Sequence, residues 1–126
     1  RVFTKAHERG IAVLNAAPYA SGILAKGSSV MPRIAYQDAI AESLEPVKAI
    51  EAICSRYQVP PGALALQFST RDPRITSTVA GVTKPSRVQQ TLDWANMELS
   101  DSLWAEIENL SFSMEDPETN REYKPG

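Results

Sequence analysis

The chain has 126 residues, of which 43% are hydrophobic and 22% charged, with a formal net charge of −2 and a pI near 5.4. This composition suits a globular chain, of a size for one modest domain, rather than a disordered one, and its scattered basic residues leave no footprint for nucleic acid. No apolar run approaches the roughly 20 residues that span a bilayer, and the amino terminus lacks a secretion-signal pattern, so no membrane partner and a cytoplasmic location are expected.

Arg1 to Arg9 reads as the last turns of a helix, with Val2, Phe3 and Ala6 at helical spacing and Gly10 as its stop, so the chain is expected to begin in mid-structure. Ile11 to Leu14 is a short continuous apolar run, the pattern of a parallel strand buried on both faces. From Ala16 the sequence turns small and irregular, with Pro18, Gly22 and Gly27 among the hydroxyls of Ser21, Ser28 and Ser29. Val30 to Leu44 continues as a long loop whose Arg33, Tyr36 and Asp38 either line a pocket or lie on solvent.

Glu45 to Tyr57 is expected to be a helix, with Val47, Ile50, Ile53, Cys54 and Tyr57 on one face and Lys48, Glu51 and Arg56 on the other. Pro60 and Pro61 end it. Ala63 to Ser69 is too short for periodicity to separate helix from buried strand, but its Ala and Leu content and the prolines before it favour helix. Arg71-Asp-Pro-Arg is a turn into a buried strand, Thr76 to Val82, in which Gly81 permits close backbone approach. Pro85 then opens a helix running through Val88, Leu92 and Ala95. A last amphipathic helix, Leu99 to Leu110, is capped by Ser100 and buries Leu103, Trp104, Ile107 and Leu110. Residues 111–126 form a polar tail expected to be mobile.

The lone Cys54 cannot form an internal disulfide and its place on an apolar helix face points to packing, while the single His7 has no neighbours from which to build a metal cluster or a catalytic triad. No catalytic residue and no metal ligand is assigned. The stretch from Val79 to Leu92 stands out. A strand running into a helix gathers unpaired N–H groups and the positive end of a helix dipole beside Lys84 and Arg87, which makes it either an anion site or an ordinary structural turn of an α/β protein.

The segment Gly81-Val-Thr-Lys-Pro-Ser-Arg-Val-Gln-Gln-Thr-Leu resembles the one that follows the last barrel strand of aldo-keto reductases, and Gly10-Ile-Ala-Val-Leu-Asn-Ala-Ala-Pro-Tyr-Ala-Ser-Gly-Ile-Leu resembles the strand and loop before it. Within that family, Pro-Arg-Ile-Ala-Tyr-Gln-Asp-Ala and Ser-Arg-Tyr-Gln-Val-Pro-Pro-Gly-Ala-Leu-Ala-Leu-Gln-Phe look most like the group of D-threo-aldose 1-dehydrogenase, L-fucose and L-galactose dehydrogenases and pyridoxal 4-dehydrogenase. The resemblance runs to about Leu110. It implies the carboxyl-terminal part of a (β/α)8 barrel, namely its last two strands, their helices and the final helix, because a whole barrel takes about 250 residues. Residues 1–110 are then a partial barrel with cofactor loops.

The cofactor implied is NAD or NADP. Ala17, Pro18, Tyr19, Ala20 and Gly22 match the loop that wraps the pyrophosphate; Gly81, Thr83 and Arg87 match positions near the adenosine ribose, and Gln90 and Thr91 those that read the adenine amino group. Three positions depart from the family pattern: Ala16 where many relatives stack an aromatic on the nicotinamide, Gly81 where NADP-specific relatives carry a lysine, and Thr91 in place of a frequent asparagine. For the intact protein the resemblance implies oxidation of an aldose, or a similar lactol or aldehyde, at C1, or the reverse reduction. The family's catalytic tyrosine, lysine, aspartate and histidine would lie in a missing amino-terminal part. This chain alone would then be inactive and would associate with itself or with that part. The competing expectations are a non-catalytic scaffold piece and a small phosphate-binding α/β domain.

Overall fold

The computed structural model describes residues 2–34, 37–39 and 41–111, so Tyr36 and the expected tail from 112 onward lie outside the described residues. Helix α1, Val2–Glu8, stops where expected: Gly10 takes a left-handed φ of 65° and donates to the His7 carbonyl, closing the last turn. The chain then enters β1, Leu14–Ala16, which pairs in parallel with β4, Ser77–Val79, placing Leu14 beside Ser77, Asn15 beside Thr78 and Ala16 beside Val79. The parallel pairing agrees with the sequence reading; the bounds and the burial do not. Both strands are shorter than Ile11–Leu14 and Thr76–Val82 suggested. Leu14 is 67% exposed and Val79 53%, because among the described residues this sheet holds two strands and nothing covers its outer face.

Between the strands lie the helices. The stretch expected to be irregular from Ala16 holds a 3₁₀ turn, Ala20–Gly22, and a single-turn helix α2, Ile23–Lys26, whose Ile23 is fully buried. It leads to a small antiparallel pair, β2 (Arg33–Ile34) and β3 (Gln37–Asp38). Arg33 and Asp38 form an exposed ion pair across it at 3.4 Å, so the solvent reading of those two residues holds. Helix α3 spans Ala41–Arg56, starting a turn before Glu45 and carrying Pro46 inside it rather than at its entrance. Helix α4, Pro61–Thr70, has Pro61 in its first turn and resolves the ambiguous segment as helix. Helix α5 covers Pro85–Ala95 and α6 covers Asp101–Glu108, the latter capped by the Ser100 hydroxyl, which accepts from the Leu103 N–H at 3.2 Å.

Two apolar clusters meet on α4. Ile53, Cys54, Leu64, Leu103, Trp104 and Ile107 join α3, α4 and α6, while Ala63, Leu66 and Trp94 join α4 to α5 with Tyr19 and Ala25 packed against them. A helix that buries Gly62, Ala63, Leu64, Leu66 and Ser69 is apolar almost all round, which explains why its short sequence showed no clear periodicity. On helix α5 Trp94 is the buried anchor, while Val88 and Leu92 are about half exposed. Polar groups tie the sheet down. Asn15 Nδ2 donates to Ser69 Oγ at 2.6 Å, and Ser69 Oγ meets Thr78 Oγ1 at 2.6 Å, so one buried serine holds both strands.

Trp94 reaches α4 only because Gly62 has no side chain; a Cβ there would lie 2.2 Å from Trp94 Cζ3. Gly62→Ala is therefore expected to destabilise the fold by about 1–3 kcal/mol despite alanine's better helix propensity, through overpacking. Urea unfolding followed by tryptophan fluorescence checks it, and equal or greater stability would show that the ring does not depend on that gap.

Candidate functional site

Parallel pairing brings the carboxyl ends of β1 and β4 to one edge, so the loops that leave both strands share a single rim. The Ala17 N–H donates to the Val79 carbonyl at 3.2 Å, carrying the pairing one step past the strands. The first loop then turns sharply through left-handed residues, with φ of 56° at Ala17, 47° at Ala20 and 62° at Ser21. Such backbone in non-glycine residues is uncommon and concentrates where a loop is shaped for a ligand. The second loop runs extended to Lys84, at φ −143° and ψ 147°, and turns into α5 at Pro85 with no side chain capping the helix start.

A cleft of about 160 Å³ lies between these loops, bounded by α2 and α5. Of the residues named from sequence, Tyr19, Gly22, Gly81, Thr83, Arg87, Gln90 and Thr91 line it. Ala17, Pro18 and Ala20 do not; they build the turn that delivers Tyr19. Ala25, Lys26 and Trp94 line it as well and were missed. Trp94 was legible in part, since positions 87, 90, 91 and 94 share one face of a helix. Lys26 carried no such signal, because α2 was read as loop.

The polar groups of the cleft are arranged by α5 itself. Arg87 Nη1 donates to Gln90 Oε1 at 2.8 Å, which pins the guanidinium along the helix, and the Thr91 hydroxyl donates to the Arg87 carbonyl at 2.7 Å, which leaves its oxygen free only to accept. Two cations, Lys26 and Arg87, face the cleft, and among the described residues no carboxylate lines it. The Tyr19 ring meets Trp94 edge to face, with centroids 5.9 Å apart at 76°. Its hydroxyl is buried with no hydrogen-bond partner among the described residues, an arrangement that costs free energy.

A second hollow of about 290 Å³, lined by Phe68, Arg71, Asp72, Pro73, Arg74, Trp104 and Glu108, has both of its cations engaged within the chain. Arg74 Nη2 pairs with Asp72 Oδ2 at 2.6 Å and holds that carboxyl down at about 2, and the Arg71 guanidinium stacks 4.0 Å from the Trp104 ring. Burial pushes the Cys54 thiol up to about 11, so it stays protonated and serves as packing. Among the described residues no three His, Cys, Asp or Glu side chains gather as a metal site, and no helix is long and apolar enough to cross a membrane.

The aldo/keto reductase family model matches residues 1–111. The chain belongs to this family. It is similar to pyridoxal 4-dehydrogenase of Microbacterium luteolum, 32% identical over 102 residues that cover 81% of this chain and 30% of that protein. D-threo-aldose 1-dehydrogenase of a Pseudomonas species is 30% identical over 101 residues, 79% of this chain and 31% of that protein. The aldo/keto reductase chain thus spans about a third of the length of the curated relatives it matches. The family implies a (β/α)8 barrel, and the parallel strand pair with helices between and after its strands is consistent with that architecture.

The unpartnered Tyr19 hydroxyl generates a test that needs no ligand. Tyr19→Phe removes it while keeping the ring on Trp94, so the variant is expected to gain on the order of 1 kcal/mol of stability. Thermal unfolding measures it, and a loss of stability would mean that the hydroxyl already has a partner.

Proposed function

We propose that this chain is the cofactor-binding portion of an NAD(P)-dependent oxidoreductase that oxidises an aldose, or a similar lactol or aldehyde, at C1, or runs the reverse reduction. The residues doing proton transfer to substrate would lie in further barrel strands outside this chain. The observation that carries the reading is the cleft itself. Residues matched one by one to cofactor-binding positions, and far apart in sequence, converge on one hollow that bears two cations and, among the described residues, no carboxylate.

These groups fit the adenosine end of a dinucleotide. Arg87 and Lys26 offer charge to a phosphate, helped by the uncapped start of α5, and the Arg87 fork suits a 2′-phosphate. The Gln90 side chain and the Thr91 oxygen suit an adenine edge, with Trp94 and Tyr19 as the apolar floor. When bound, the nicotinamide supplies the hydride acceptor; this chain's residues hold the far end of the molecule and exclude water from it. The left-handed turn from Ala17 to Gly22 keeps side chains away from the pyrophosphate and presents backbone instead. With Gly81 where a lysine would favour the 2′-phosphate, the protein accepts both cofactors with a lean toward NAD.

The exposed outer face of β1 and β4, with Leu14 67% and Val79 53% exposed, and Ile11 56% exposed in the segment before β1, supports association of this chain with further strands or with a second copy. The chain by itself is therefore expected to self-associate in light scattering and to show no turnover of L-fucose, L-galactose or D-arabinose with NAD or NADP. A protein carrying the remaining strands turns them over. A monomeric, active isolated chain would overturn both the assignment of the chain as a part and the placement of its catalytic residues elsewhere.

Arg87→Ala, made in that longer protein, is expected to weaken NADP more than NAD, on the order of the 1.5–3 kcal/mol of a hydrogen bond to a charged group, and added salt shrinks the difference. Fluorescence titration of both cofactors checks it. Equal losses would remove Arg87 from the phosphate site.

A further inference from the structure

One wall of the cleft, Ala25 and Lys26, stands on α2, a helix of only four residues. A single turn has no stability of its own, so its position has to be set from outside. At its start the anchor is apolar: Ile23 is fully buried. At its end the anchor is a carboxylate from another element. Glu51, on α3, accepts from the Ser28 N–H through Oε1 at 2.6 Å and from the Ser28 hydroxyl through Oε2 at 2.7 Å. Both oxygens of a charged side chain are thus engaged by the two donors of one loop residue, the stronger class of hydrogen bond, in a partly buried setting.

The loop backbone is shaped for this contact. Gly27 closes α2 by donating to the Ile23 carbonyl at 2.8 Å and takes a φ of 92°, which turns the chain so that Ser28 presents both donors to α3. Its carbonyl in turn accepts from Val30 and Met31 at 3.2 and 3.0 Å, so the turn that follows is organised on the same latched residue pair. Val30 and Lys26 also border a shallower groove that continues past Arg87 and Gln90 on the outside of the cleft. Loosening the latch would therefore release the Lys26 side of the cleft and leave the Arg87 side, which α5 organises internally, untouched.

We infer that Glu51 is a positioning residue of this cleft: by latching Ser28 it holds the α2 wall against the bound adenosine end of the cofactor and slows the cofactor's release, without touching cofactor or substrate. The inference rests on the proposed cofactor reading and adds to it a residue on α3 that lines no part of the cleft. Its consequence is a change in affinity and residence, with the chemical step left as it was. If unlatching lowers the fraction of time the wall is in place to about one tenth, the apparent dissociation constant rises about 10-fold.

The test uses the longer protein that carries this chain. Amide hydrogen exchange at residues 28–31 reads the latch, and stopped-flow quenching of tryptophan fluorescence by NAD and NADP reads affinity and release. Glu51→Ala is expected to speed exchange at 28–31, raise both dissociation constants about 10-fold, mostly through faster release, and leave kcat at saturating cofactor within about twofold. Glu51→Gln, which keeps one acceptor, falls between the two, and so does Ser28→Ala, which leaves α3 intact and covers the case in which Glu51→Ala folds poorly. Glu45→Gln, exposed on the same helix, serves as the control and changes none of these. Wild-type binding with unchanged affinity in Glu51→Ala and Ser28→Ala overturns the inference. A wild-type protein that binds neither dinucleotide overturns the cofactor reading and the inference with it.

Discussion

The contact between the Trp94 ring and the bare backbone of Gly62 is the constraint from which most of the structure follows. It sets how closely α5 approaches α4, and α4 is the helix on which both apolar clusters meet. Gln67 fixes the same interface with polar groups: its amide nitrogen lies 2.7 Å from both the Trp94 and Met97 carbonyls, which satisfies the end of α5 that the ring brings close. With α5 held there, Arg87, Gln90 and Thr91 face the loop after β1, and the Tyr19 ring finds the other side of the same tryptophan. One packing event thus supplies the core of one cluster and the floor of the cleft.

Two of the hollows differ in how their charges are matched. In the one beside Trp104 each cation has a partner within the chain, Arg74 on Asp72 and Arg71 on Trp104. In the one beside Trp94 the cations face no carboxylate among the described residues. Charge without a counter-charge, rather than volume, sets the second apart as the candidate for an anionic ligand.

The sheet has an open face of its own. Apolar side chains on β1, β4 and the loops beside them are exposed where a barrel would cover them, while the inner side is tied to α4 through Ser69. The helices form a connected layer with a satisfied core and the strands form its open face. Family membership and the share of the curated relatives that the chain spans are both consistent with a face made to be continued.

The sequence by itself determined the α/β class, the helices with long apolar stripes or a clear cap, the parallel strand pair, and most of the residues that line the cleft. Those features are local: a proline at a helix start, Ser100 at a cap, a glycine at a turn, and motif residues whose order along the chain is enough to match them. Only the tertiary structure decided how much of α5 is covered, since Val88 and Leu92 look apolar in any local window yet stay half exposed, while Trp94 is buried where Gly62 leaves room for its ring. It alone placed Lys26 and Glu51, because a one-turn helix has no periodicity to read and a carboxylate on a polar helix face gives no sign of the serine it holds. Strand length and burial were also beyond the sequence, for they depend on how many neighbouring strands are present to pair and cover, and that is a property of the assembled sheet rather than of the residues in it.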